Sequence, residues 1–221
     1  MSKIIGFGEK VDGYNIPVLN EREIRAAAGL LFLVMLFSIQ AAGGAGNFTP
    51  IKYAVTFFLT DMLIRVFINP RYSPTLIVGR LIVRNQVPEY VGAQQKKFAW
   101  YIGIGMAIVM FVLIVLVNSY SPITGLICFI CLIFLFFESA FGICLGCKVY
   151  PWIYKEKAQY CPGEVCEIKD RHEIQKTSRV HWLILSGFVV YMLLTIQLFN
   201  DFYSKPPYDL FGLSSHSQVE E

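Results

Sequence analysis

The chain has 221 residues, of which 55% are hydrophobic and 16% charged, with a formal net charge of +3 and a mean hydropathy of +0.53. Soluble domains carry about 25% charged residues, so this composition excludes an ordinary soluble enzyme and points to an integral membrane protein in a lipid bilayer. The small positive excess reflects topology and contact with anionic lipid, and argues against nucleic-acid binding.

In chain order, residues 1–22 read as an irregular cytoplasmic lead-in punctuated by Gly6, Gly8, Gly13 and Pro17. This stretch lacks a charged region followed by an apolar run and a small-residue cleavage site, so no removable signal peptide is expected. Asn20 followed by Glu23 marks a helix start. Residues 23–200 form the membrane domain, with five apolar spans predicted at 26–42, 51–68, 98–117, 123–145 and 181–199. A glycine-rich turn, Ala42-Gly43-Gly44-Ala45-Gly46-Asn47, joins the first two. Pro70 and Pro74 then stop the second, and residues 75–83 are too short to cross, which predicts an interfacial or re-entrant helix. The expected fold is therefore an all-α membrane bundle of about five transmembrane helices plus that short one, with loops at 69–97 and 148–180 and a tail at 201–221.

All but two of the 19 basic residues, Lys52 and Lys205, precede the first span or cluster around the two long loops. By the positive-inside rule the N-terminus and both loops face the cytoplasm and the C-terminal tail lies outside.

Four of the six cysteines occur as two C-x-x-C pairs, Cys128/Cys131 and Cys144/Cys147, on what reads as one helix. At helical rise the pairs lie about 24 Å apart, beyond any direct sulfur-on-sulfur attack. Electron transfer between them calls for a quinone, another carrier or a partner protein. Cys128 and Cys131 read as buried small hydrophobes first and membrane-redox candidates second. Cys144 and Cys147, followed by Cys161 and Cys166 across a Pro162-Gly163 turn, form either two exchanging dithiols or a four-thiolate zinc site. On a continuous helix, Cys144 and Cys147 stand at its carboxyl end. The macrodipole there disfavours a thiolate, leaving Lys148 and the basic loop to oppose it.

Glu138 projects within about 20° of Cys131 at 100° per residue. A carboxylate within a span is either an intramembrane proton acceptor or a neutral acid bonded to a neighbour. Asp61 and Arg65, spaced i and i+4, are expected to pair and orient their helix. Gly142 and Gly146 fit close helix packing.

Three segments carry a resemblance: Asn69-Pro70-Arg71-Tyr72-Ser73-Pro74, the run 90–100 beginning Tyr90-Val91-Gly92, and the run 138–148 beginning Glu138-Ser139-Ala140 and ending Gly146-Cys147-Lys148. Together they resemble the bacterial integral membrane family called domain of unknown function 4395, over roughly residues 60–170. The resemblance implies a bacterial inner membrane and, through some members, a thiol or sulfur-transfer protein as partner; it carries no established activity.

The sequence therefore predicts a membrane thiol–disulfide oxidoreductase or sulfur-handling protein with Cys144, Cys147, Cys161, Cys166 and Glu138 as its working residues. Two other readings stay open. One is a structural or assembly subunit in which the same four cysteines bind zinc or form a disulfide staple. The other is a carrier of a small sulfur species along a path lined by Glu138, Asp61 and Arg65. No dinucleotide fingerprint, phosphate loop or metalloprotease helix is present in the sequence.

Overall fold

The computed structural model describes residues 7–11, 16–154 and 178–209. Cys161, Cys166 and most of the second long loop lie outside the described residues. Seven α-helices dominate: α1 Glu21–Ala45, α2 Thr49–Leu63, α3 Pro74–Ile82, α4 Ala93–Met110, α5 Pro122–Phe136, α6 Leu145–Tyr154 and α7 Arg179–Tyr203. Short π turns extend α2 to Ile68, α4 to Leu116 and α5 to Phe141.

Among the described residues, four helical stretches are long and apolar enough to cross a membrane: Glu21–Ala45, Ala93–Leu116, Pro122–Phe141 and Arg179–Tyr203. The segment expected as a further span, 51–68, is helical but carries Lys52, Asp61 and Arg65, and all three are buried inside the protein. Turning charges inward and apolar side chains outward suits a helix bundle surrounded by lipid. Leu183 and Leu198 on α7 are 72% and 74% exposed, as lipid-facing side chains are.

Two small pairings set the level of the helices. β1 (Val18–Asn20) runs antiparallel to β2 (Tyr90–Gly92), with Val18 opposite Gly92 and Asn20 opposite Tyr90. Because α1 begins immediately after β1 and α4 immediately after β2, the first turns of these two helices stand side by side. At the far end, β3 (Ser119–Tyr120) pairs in parallel with β4 (Tyr208–Asp209). Lys52 closes that end from inside, donating to Asn118 Oδ1 at 2.6 Å and to the Lys205 carbonyl. Both acceptors are neutral, so the ammonium is hydrogen-bonded rather than ion-paired.

Asn20 caps α1 as its sequence suggests, accepting from the Arg22 amide at 3.2 Å while its own amide group donates to Glu23 Oε1 at 3.0 Å. The inward stripe of α1 is Ile24, Ala27, Leu31, Met35 and Ser38, spaced three and four apart as a helix requires. Ser73 caps α3, and Pro74 opens it at a position where a missing N–H costs nothing.

The short helix α3 lies against the start of α1, with Arg80 paired to Glu23 at 3.1 Å in a fully buried contact. Gly79 makes that approach possible: a Cβ there would stand 2.6 Å from the Glu23 carbonyl oxygen and 3.3 Å from the Ala27 nitrogen. Helix propensity alone favours alanine over glycine by about 1 kcal/mol. Overpacking against backbone costs about 1–3 kcal/mol, so Gly79→Ala is expected to lower the melting temperature in detergent. An unchanged or raised melting temperature would show that α1 and α3 are not in this contact.

Candidate functional site

The site is built where α5 stops. The sequence predicts a span continuing to residue 145, but the helix ends at Phe141 and Gly142 takes φ 66°. The Gly142 amide donates to the Glu138 carbonyl at 3.1 Å and the Ile143 amide to the Phe137 carbonyl at 3.0 Å. The first bond is that of a helix ended by a left-handed residue, a position that favours glycine, and the second spans one residue more than the usual paired cap, as the π turn there requires. The chain then turns and starts α6, which lies on α4. A Cβ on Gly146 would stand 2.8 Å from the Cβ of Ala99, so the two helices touch through their smallest residues.

This break corrects the electrostatics expected for the cysteines. Cys144 and Cys147 do not sit at the carboxyl end of α5; Cys144 immediately precedes α6 and Cys147 lies in its first turn. The Cys147 amide nitrogen is 3.2 Å from Cys144 Sγ, and the Lys148 amide donates to the Cys144 carbonyl at 3.2 Å, which makes Cys144 the cap of α6. The positive end of a helix dipole therefore faces this sulfur, the reverse of the expectation. Cys144 and Cys147 are joined as a disulfide, with Cα atoms 5.1 Å apart. Lys148 is exposed on the outer side of α6.

Cys128 and Cys131 are buried free thiols on α5. They belong to an inward stripe of Thr124, Cys128, Cys131 and Leu135, which reaches Glu138 three residues later. Cys131 and Cys144 both border one narrow cleft of about 70 Å³, walled by apolar side chains that include Phe58, Trp100 and Phe134. The helix break thus places one cysteine from each C-x-x-C pair in the wall of a common space. Cys161 and Cys166, the other half of the expected four-thiolate site, lie outside the described residues. Among those described, no three metal-ligating side chains converge.

Polar groups enter the cleft from two directions. Arg65 lies in the π turn after α2, 2% exposed, with its guanidinium carbon 5.2 Å from the centre of the Trp100 ring. Its Nε donates to Asp61 Oδ2 at 2.8 Å and to Ser73 Oγ at 3.1 Å, and its Nη2 donates to Thr75 Oγ1. Asp61, wholly buried, also accepts from Ser73 Oγ at 2.7 Å, from the Thr75 amide at 3.0 Å and from Thr75 Oγ1 at 2.7 Å. The Asp61–Arg65 pair therefore ties α2 to the cap of α3, and Arg65 is among the residues that line the cleft.

From the other side comes Glu138, in the π turn that ends α5. It pairs with Lys96, whose Nζ also lies 2.9 Å from Glu21 Oε1 and 2.8 Å from Oε2. Lys96 is 1% exposed, so a buried ammonium serves two carboxylates from different helices. Arg25 completes the cluster, donating from Nη2 to the Ala140 carbonyl at 3.4 Å, and a Cβ on Gly142 would meet its guanidinium at 3.3 Å. Two carboxylates thus face two cations at the α5–α6 junction.

Sequence reasoning counted Lys96 only among the charges that set topology. The signal for its burial was present: Ala93, Lys96, Trp100, Ile104 and Ala107 repeat at spacings of three and four, and all are buried on α4. Glu21 had no such local mark, because only the β1–β2 pairing brings it level with Lys96.

The chain matches no curated protein and no solved structure. The model for the domain of unknown function DUF4395 matches residues 19–155, well over half of the chain and the whole of α1 to α6, and the protein belongs to that family.

Proposed function

We propose that this is a multi-pass protein of the bacterial inner membrane that carries out thiol–disulfide redox chemistry, with its N-terminus and long loops in the cytoplasm and its tail outside. The observation that carries the reading is the Cys144–Cys147 pair, at bonding distance on the amino end of α6 and beside an apolar cleft. A C-x-x-C pair that caps a helix has its first sulfur next to backbone N–H groups, which favours the thiolate needed for exchange. In this reading Cys144/Cys147 is the principal dithiol. Cys161 and Cys166 exchange with it or dock a cytoplasmic thiol or sulfur-transfer partner, and Glu138 accepts protons released by the thiols. Cys128/Cys131 forms a second, membrane-embedded pair.

Full-length protein in detergent tests this directly. Thiols are counted by maleimide labelling after equilibration in glutathione buffers of stepped potential. The expected result is a single two-electron transition, lost in both Cys144→Ser and Cys147→Ser, with a tenfold change in the ratio of forms per roughly 30 mV. Stoichiometric bound zinc with no reducible disulfide would instead establish the four-cysteine structural site and remove the redox reading.

A further inference from the structure

We propose that α7 carries a seam for a second copy of this chain, with Gln197 of each protomer hydrogen-bonded to its counterpart across a two-fold axis along the membrane normal.

α7 docks on its own protomer through one edge. His181 Nε2 accepts from Arg71 Nε at 3.3 Å, the Phe188 ring meets Phe57 edge-on at 5.2 Å, and Tyr203 stacks on Tyr53 at 4.5 Å. Among the described residues, 6% of the apolar window of α7 is buried, against 22–33% for the other three spans, so most of this helix faces outward.

The face away from that edge has the period of a helix pair. Leu183, Gly187, Val190, Leu194 and Gln197 follow one another at intervals of four, three, four and three residues, the 3.5-residue repeat of a left-handed two-helix contact. At 100° per residue this line lies roughly 150° around α7 from the docked edge, and all five residues are exposed. A Cβ on Gly187 would meet nothing within 4 Å, so this glycine serves no packing within its own protomer and leaves an opening where a second backbone can come close.

Lipid covers the apolar members of this line but does not satisfy Gln197. α7 has 25 residues, about 38 Å at helical rise, against a hydrocarbon core of about 30 Å. Gln197 stands six residues before the end of α7, which puts its Cα about 5 Å inside that core. The Cα–Cβ bond of a helical residue leans toward the amino end, here toward the bilayer centre and away from the nearer surface. Ser186 and Thr195 answer their hydroxyls within the helix, donating to the Leu183 and Tyr191 carbonyls at 2.9 Å each. The Gln197 amide has no hydrogen-bond partner among the described residues, and in hydrocarbon such a group is costly.

A second copy supplies the missing partner by symmetry. Two molecules inserted in the same direction and related by an axis along the membrane normal present each residue at the same depth, so Gln197 meets Gln197. A carboxamide both donates and accepts, and each carbonyl can take an N–H from the other amide. From Leu183 to Gln197 the line holds no charged side chain, so two identical faces meet without repulsion.

The experiment uses full-length protein with donor or acceptor dye on a C-terminal tag, reconstituted in phosphatidylcholine vesicles at stepped protein-to-lipid ratios. Energy transfer should follow a monomer–dimer equilibrium. Gln197→Leu, which keeps the surface apolar, should weaken association roughly 3- to 30-fold, the range for one interhelical polar contact in a membrane. Gly187→Leu, which fills the opening, should weaken it at least as much, while Gln197→Asn, which keeps the amide, should retain more of the affinity than Gln197→Leu. Val189→Leu, off the seam, is the reference for a change elsewhere on the exposed surface. Both seam variants should melt as wild type does in detergent, because neither position contacts its own protomer. Wild-type protein that shows no transfer at the highest density would overturn the proposal. So would an affinity in Gln197→Leu within twofold of that in Val189→Leu, since association would then use another surface.

Discussion

Asp61→Asn is expected to be among the most damaging single substitutions in this protein, costing about 3–5 kcal/mol of stability, the range for breaking a buried ion pair from one side. The carboxylate takes hydrogen bonds from the Arg65 Nε, the Ser73 hydroxyl, the Thr75 amide and the Thr75 hydroxyl, and has no exposure of its own. Asparagine keeps the shape but turns an NH₂ donor toward one of these donors and removes the charge that balances Arg65. Thermal melting in detergent, followed by circular dichroism, reads the loss. The double variant Asp61→Leu/Arg65→Met should be much less damaged than Asp61→Asn, because no lone charge then stays buried. A wild-type melting temperature for Asp61→Asn would mean that this cluster does not hold α3 to α2.

Lys96→Met is expected to be comparably severe, again by about 3–5 kcal/mol, because it leaves an uncompensated charge in a buried site. Here the charges left behind are Glu21 on α1 and Glu138 on the turn that ends α5, facing each other across the vacated ammonium. Among the described residues, Arg25 is the cation that remains beside Glu21. Adding Glu138→Gln to Lys96→Met should restore part of the lost stability by removing one of the two carboxylates. The same variants report on the site, since the junction that Lys96 clamps is the one from which α6 and its disulfide emerge. In Lys96→Met, Cys147, now 1% exposed, should label faster with maleimide after reduction. Equal labelling rates and equal stability in Lys96→Met and wild type would show that the cluster does not secure the α5–α6 junction.

Membrane character, the helical class and the level of the α1 start were legible from the chain alone. They depend on quantities that a sequence displays locally: long apolar runs, few charges, an Asn20 cap with Glu23 behind it, and Pro70 and Pro74 as helix breakers. The shared face of Cys131 and Glu138 was equally legible, since the two are about two helical turns apart in one helix and its π-turn continuation. The i, i+4 spacing of Asp61 and Arg65 likewise contains most of the information about their contact.

What surrounds those residues depended on the tertiary structure. Gly142 and Gly146 could be read as packing glycines in an unbroken span, because an apolar run has the same hydropathy whether it is one helix or two. The break follows from space: α6 finds a close seat on Ala99 of α4, and a left-handed glycine lets the chain turn to reach it. That single turn reversed the dipole acting on Cys144 and brought this residue to the cleft that Cys131 also borders. Glu21 and Lys96 met only because two three-residue strands, 70 positions apart in the chain, hydrogen-bond side by side. Local pattern thus determined which residues face inward, whereas long-range pairing and close packing determined which of those inward residues share a site, because no periodicity within one segment encodes its distance to another.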